Sequence, residues 1–196
     1  MAAVRELQTG LWHWEAPHPD WKPGDDWDEM VSSYAIDTGD HLLLFDPLAL
    51  PSELEERATG RETVIVLTCT WHARDARALA ERLGAQLYVP PAEAGGPDPL
   101  PGEVFREGDE LPVGVRAFPG MEAGDLVLWV ESRGTVVAGD SLIDRGSGLE
   151  IPAEWVGDAL EQIRENLRPL LELPVEHVLA THGGPTDRAA LERALA

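Results

Sequence analysis

One cysteine, Cys69, in 196 residues rules out an intramolecular disulfide and with it a disulfide-stapled secreted scaffold. Basic residues are scarce. Lys22 is the only lysine, and 15 Lys and Arg face 36 Asp and Glu, giving a net charge of −21. Such a field repels nucleic acid, anionic membranes and highly phosphorylated ligands, so none of these is an expected partner. Long apolar runs are missing too: none approaches the ~20 residues that span a bilayer. Segment 1–11 has neither the basic stretch nor the apolar core of a signal peptide, which predicts a soluble, cytoplasmic protein. No glycine-rich phosphate loop follows the first strand-like run, so a nucleotide-binding Rossmann or P-loop reading has no support. No internal repeat or low-complexity tract is present. The length fits a single domain, 1–196.

What the chain does have is many short runs of Val, Ile and Leu bounded by Gly, Pro or Asp. They predict strands at 11–14, 30–36, 41–45, 64–67, 86–89, 113–118, 126–131, 135–138 and 175–180. Thr38-Gly39-Asp40 and Ser132-Arg133-Gly134 read as turns between strands. A helix is predicted over 75–83, stopped by Gly84 as a left-handed cap. A long helix starts near Pro152, with Val156, Leu160, Ile163, Leu167 and Leu170 as its core stripe. A last helix covers 187–195. Segments 17–28 and 90–102 are irregular and read as surface loops that line a pocket. Hairpins with interspersed helices predict an α/β layered fold.

Three apolar runs end on chemically capable residues: Val64 to Leu67 leading into Thr68-Cys69-Thr70-Trp71-His72, Val136-Val137-Ala138-Gly139-Asp140-Ser141, and Val178-Leu179-Ala180-Thr181-His182-Gly183. Together with the hairpin from Ile36 to Asp46 and the string Phe118-Pro119-Gly120, this order resembles the metallo-β-lactamase superfamily. The resemblance runs from about Tyr34 to Gly184. It implies a four-layer αββα sandwich of mixed sheets and a structural aspartate at Asp46. It also implies a zinc site built on strand ends, where a metal-acidified water attacks an ester, thioester or lactam-type bond.

Position by position the resemblance breaks down at the metal. With Thr68 as anchor, the signature histidines fall on Cys69 and Trp71, the aspartate on Ala73 and the last histidine on Arg74. The histidine after Pro119-Gly120 is Met121. Of seven positions only Asp140 and His182 keep a ligand. A shift of one residue puts His72 and Asp75 in play, giving a mononuclear set of His72, Asp75, Asp140 and His182. His72, Asp140 and His182 are then the catalytic candidates, and Cys69 is a possible substitute ligand. The cofactor is one divalent metal (Zn, Mn or Fe) or none.

The alternative is a metal-free, non-catalytic binding or interaction protein on the same fold. In that reading an Arg74–Asp140 salt bridge replaces the cation, and Trp71 and Met121 fill the vacated site. His13 and His18 either wall a ligand pocket or pack on a sheet; His41 and His177 read as structural. Gly139-Asp140-Ser141-Leu142 resembles an esterase nucleophile string, but its place in the chain is wrong, so Ser141 is not the expected nucleophile. Either way the partner is a small molecule that is not polyanionic.

Overall fold

Strands whose successive side chains both find an apolar layer organise this chain. In a computed structural model, which describes residues 3–92 and 95–196, two sheets stack face to face with helices outside each. The first sheet runs in chain order: β1 (Arg5–Gln8), β2 (Leu11–Pro17), β3 (Met30–Asp37), β4 (His41–Phe45), β5 (Glu62–Val66), β6 (Gln86–Val89) and β7 (Glu103–Val104). Pairing is antiparallel up to β4 and parallel beyond it. Parallel steps need crossovers, and the first two are supplied by α1 (Ser52–Ala58) and α2 (Ala76–Leu83).

The second half contributes β8 (Glu110–Leu111), β9 (Val115–Pro119), β10 (Leu126–Val130) and β11 (Thr135–Ala138). A small hairpin of β12 (Ile143–Asp144) and β13 (Leu149–Glu150) follows, then α3 (Ala153–Val156) and α4 (Leu160–Leu167). After them come β14 (His177–Ala180), β15 (Pro185–Asp187) and α5 (Arg188–Ala194), and the sheet order is β15-β14-β11-β10-β9-β8.

The period of two explains the layering. In β4, Leu43 and Phe45 enter the core between the sheets, while Leu42 and Leu44 meet Leu54 of α1 and Leu79 of α2. In β10, Leu126, Leu128 and Val130 face the same central core, and Val127 and Trp129 pack with Ile163 and Leu167 of α4. Each fully buried Leu or Val of this kind contributes about 1.5–3 kcal/mol. The result is the αββα sandwich.

Two local differences from the sequence expectation have physical causes. The helix from Pro152 is broken, because Gly157 takes φ 52 and ψ −125, a conformation outside the helical region. The chain then passes through short 3₁₀ turns on either side of α4, yet Ile163, Leu167 and Leu170 of the expected stripe are buried. β1 and α1 escaped the sequence reading because β1 is a half-exposed edge strand and α1 offers only Leu54 and Ala58 to the core. Gly84 caps α2 in the left-handed region as expected. Of the loop 90–102, residues 93 and 94 lie outside the described residues. No helix among the described residues is long and apolar enough to cross a membrane.

At the start of α5 the Asp187 carboxylate accepts the Ala190 N–H at 2.9 Å, a side-chain cap. Asp187→Ala lowers unfolding free energy by about 1 kcal/mol while Asp187→Asn preserves most of it, read from urea denaturation.

Candidate functional site

Parallel pairing assembles the site. β11 and β14 are in register with Ala138 opposite Ala180, so Asp140 and His182, each two residues further on, leave the sheet side by side. β4 and β5 pair Phe45 with Val66, which sets Asp46 beside Thr68 in the same way. Asp46 is fully buried. Its Oδ1 accepts the Thr68 N–H at 2.8 Å, and its Oδ2 accepts the Thr68 hydroxyl. The chain then turns through a 3₁₀ segment, Thr70–His72, which swings His72 back over the strand ends. Asp46 and Arg74 hold positive φ of 44 and 36, an uncommon backbone state for non-glycine residues and one that collects at functional sites.

His72 is the centre. Its Nδ1 lies 3.1 Å from Asp46 Oδ2 and 3.2 Å from Thr68 Oγ1, and its Nε2 lies 3.1 Å from Asp140 Oδ1. The Asp46 carboxylate only accepts, so Nδ1 carries a hydrogen; in the neutral ring Nε2 then presents its lone pair to Asp140. His182 Nε2 approaches the same Asp140 Oδ1 at 3.3 Å. Neither imidazole contact has hydrogen-bond geometry, and Oδ1 is buried without a hydrogen-bond donor. Cys69 Sγ lies 3.4 Å from Asp140 Oδ2. The donor atoms of Cys69, His72 and Asp140 all fall within 4.8 Å of one another. Electron pairs thus converge on a small volume where a proton or a metal ion is the natural mediator.

The electrostatics follow the geometry. Burial alone would lower the His72 pKa, but Asp140 and, by a smaller effect, Asp46 outweigh burial and Arg74 and bring it to about 9. Burial likewise works against charge on Asp140, yet His72 and His182 hold its carboxyl well below the usual range. Burial, with Asp140 and Asp125 nearby, pushes the Cys69 thiol up. His182 is lowered by burial against the pull of Asp140.

Of the residues anticipated from sequence, His72, Asp140 and His182 come together. Asp75 stands apart: its carboxylate accepts the Ala49 N–H at 2.7 Å and lines a different groove, beside Arg82. Cys69, not Asp75, completes the donor group; Asp75 lies beyond the 3₁₀ turn and is committed to the Ala49 N–H. The Arg74–Asp140 salt bridge does not form among the described residues; Arg74 Nη1 instead donates to the Ser32 and Asp46 carbonyls, both at 2.8 Å. Nor does Trp71 fill the site. It is 57% exposed and stands at the mouth of the cleft. Met121 packs under the second sheet with the α4 layer.

Ser141 is buried and its hydroxyl donates to Asp125, in keeping with a structural part. His41 pairs with Glu62 at the far end of β4. His18 lines the cleft, whereas His13 stacks on Tyr34 with ring centroids 5.1 Å apart.

Asp125 had no signal in the sequence beyond a polar residue before a strand, yet it braces the second sheet. Buried completely, it accepts Asp140 N–H at 2.9 Å and Met121 N–H at 3.2 Å, besides the Ser141 hydroxyl. Burial and the neighbouring Asp140 push its carboxyl up. A Cβ on Gly139 would collide with Asp125 Oδ1, and one on Gly120 with the Asp125 carboxylate and backbone, so both glycines are spatial requirements.

The cleft above these groups has a volume of about 380 Å³ and is walled by Trp27, Trp71, Trp155 and His18, with Asp20 at the rim and Arg74, His72, Asp140 and His182 below. Trp155 was not anticipated as a wall. It is fixed by its Nε1–H donating to Asp26 at 2.7 Å, a contact 129 residues apart in sequence.

Fold and strand-end site together define a protein with the metallo-β-lactamase fold. The structure resembles a metallo-beta-lactamase family protein from Thermus thermophilus (TM-score 0.66, 21% identity, covering 96% of this chain and 78% of that one). It also resembles the DIM-1 metallo-beta-lactamase (0.71, 15%, 99% and 94%) and a metallo-beta-lactamase from Hirschia baltica (0.69, 16%, 99% and 96%). No family model and no curated protein matches the sequence. At these identities the likeness establishes the fold.

Two outcomes test this arrangement. Gly139→Ala destabilises by several-fold more than an exposed glycine substitution, on the order of 1–3 kcal/mol, because it displaces a buried, fully bonded Asp125. His13 sits beside Ser32, with Nε2 2.8 Å from Ser32 Oγ, while Ser32 spends its own hydrogen on the Gly183 carbonyl. Burial, and secondarily Arg5, lowers the His13 pKa from 6.5 to about 4. The unfolded chain therefore binds a proton here between pH 6.5 and 4 that the folded chain refuses. Stability falls as pH drops through that window and the His13 share levels off below it; His13→Gln flattens this share in urea melts taken across the range.

Proposed function

We propose that this chain is a mononuclear metallohydrolase, holding one divalent ion with Cys69, His72 and Asp140 and with His182 next to it. One observation carries the reading. His72 Nε2, with Nδ1 committed to Asp46, faces Asp140 Oδ1, which lies 3.1 Å away and accepts no hydrogen bond. A carboxylate backing a histidine through its other nitrogen is how metal-binding imidazoles are commonly oriented. The donor set of thiolate, imidazole and carboxylate suits zinc better than manganese or iron.

When bound, such an ion supplies Lewis acidity and water acidified to near-neutral pKa. The chain's own residues do the rest. Asp46 and Thr68 fix the His72 ring, and Asp125 fixes the backbone that carries Asp140. The tryptophans wall the cleft, and Arg74 provides permanent positive charge at the floor, favourable to a substrate carbonyl oxygen. With the chain's −21 charge, the reading favours a small neutral or cationic ester, thioester or lactam-type substrate over a polyanion.

A second reading rests on His72 itself. With its pKa near 9 it is an imidazolium between Asp46 and Asp140, a cation that stands in for the metal. The fold would then bind a small molecule without turnover.

Elemental analysis of protein purified without an affinity tag or added metal separates the two. About one equivalent of zinc is expected, falling at least ~10-fold in Cys69→Ala and in Asp140→Asn but not in Asp75→Asn. A protein that carries no metal and takes up none on titration with zinc, manganese or iron removes the metallohydrolase reading and leaves the second.

A further inference from the structure

The cleft is polarised along its depth. Its floor holds Arg74, whose charge is permanent, with His72, Asp140 and His182, and its mouth is aromatic and acidic, with Trp71, Trp27 and His18 around Asp20. Trp71 exposes 57% of its surface to solvent, an uncommon state for so large an apolar side chain unless something covers it. Trp27 meets the His182 ring edge-to-face at 5.7 Å, and Trp155 does so at 6.2 Å, so the tryptophans stand upright around the imidazole. His18 packs edge-to-face against Trp27 at 5.1 Å, and its pKa is lowered by burial and by Arg74, leaving that wall neutral at pH 7. No lysine or arginine other than the floor residue Arg74 lines the cleft among the described residues. Outside the lining, the Arg145 guanidinium lies 5.7 Å from the Trp155 ring and is held there by Glu150 and Glu154.

Indole faces attract cations, and most strongly those without N–H bonds, which water solvates poorly. An anionic rim and a net charge of −21 add long-range attraction for the same sign of ligand. A quaternary ammonium group, which Cys69, His72 and Asp140 cannot ligate, is repelled by Arg74 on the floor, whereas a carbonyl oxygen is attracted. We infer that the cleft takes a small ester or thioester whose alcohol or acyl portion ends in a quaternary ammonium group, with that group among Trp71, Trp27 and Asp20 and the carbonyl directed to the floor. This substrate class rests on the hydrolase reading above; recognition of the ammonium group does not require the metal.

Choline and its uncharged isostere 3,3-dimethylbutanol, titrated calorimetrically into the full chain, test it. Choline is expected to bind about 10-fold tighter, the ratio that cation–π contact of ~1.4 kcal/mol gives. Trp71→Ala, at an exposed position whose loss leaves the core intact, should bring the ratio close to one, and Trp71→Phe should retain part of it. Asp20→Asn should weaken choline about two- to five-fold and leave the isostere unchanged. Equal affinities, binding of neither ligand, or a ratio indifferent to Trp71→Ala would overturn the inference. The same titration in Cys69→Ala keeps the two readings distinct. Choline preference without metal or turnover would defeat the hydrolase alone, and turnover of neutral esters without choline preference would defeat the ammonium site alone.

Discussion

A carboxylate sealed at the end of β4 sets the position of everything above it. Asp46 has no solvent exposure, and an uncompensated charge there would cost several kcal/mol. It is compensated by the Thr68 N–H, the Thr68 hydroxyl and His72 Nδ1. Each of those bonds also removes a degree of freedom from the loop after β5, so the anion is at once satisfied and structural. The consequence travels one bond further. Once Nδ1 is committed, the far nitrogen of His72 has a fixed direction, and that direction is Asp140. The positive φ of Asp46 belongs to the same constraint, because the extended backbone would carry the carboxylate on past Thr68.

Asp125 plays the corresponding part in the second sheet. It gathers two backbone N–H groups and a hydroxyl from the loops after β9 and β11, and Gly120 and Gly139 exist as glycines because the carboxylate leaves no room for a Cβ. Backbone bonds link the halves: Leu126 N–H donates to the Thr68 carbonyl at 2.8 Å and Thr70 N–H to the Gly124 carbonyl at 2.9 Å. Two buried carboxyl groups, one per sheet, thus fix the two sides, and these backbone bonds hold the loop bearing Cys69 and His72 against the sheet that bears Asp140. Movement of either sheet relative to the other would break these backbone hydrogen bonds in a low-dielectric interior, where each is strongest.

Much of this was legible in the sequence for a simple reason. Parallel strands in register deliver residues just past their ends to neighbouring places, so the strings ending in Asp140 and His182 were enough to place both. The hairpin ending on Asp46 was legible for the same reason. What failed to read was what depends on a single turn or on a long-range contact. Asp75 and Cys69 are six residues apart, and the path of the 3₁₀ turn between them decides which joins the donor group. Trp71 looked like filler for a lost ligand, yet the same turn carries it out to the rim. Asp125 and the Asp26–Trp155 contact join segments far apart in sequence, and neither carries a local pattern. Arg74 was expected on Asp140 because opposite charges attract. Two backbone carbonyls hold it instead, and a guanidinium fits them while its charge still acts at a distance.

Arg74 also limits how many cations the site can hold. By resemblance it occupies the position of the last signature histidine, and a guanidinium, unlike an imidazole, cannot shed its proton to become a ligand. Its Nη1 is tied to the Ser32 and Asp46 carbonyls, so it cannot withdraw without abandoning both, and Ser32 is itself bonded to the strand end at Thr181 and Gly183. A second divalent ion at that place would meet a fixed like charge inside a buried site. The two neighbouring aspartates, Asp46 and Asp140, offset Arg74 and one further positive charge, which the protonated His72 supplies. A divalent ion meets the same balance once it displaces that proton and the Cys69 thiol gives up its own, adding a third negative charge. Under the reading proposed above, this balance favours one divalent ion or an imidazolium over a pair of ions.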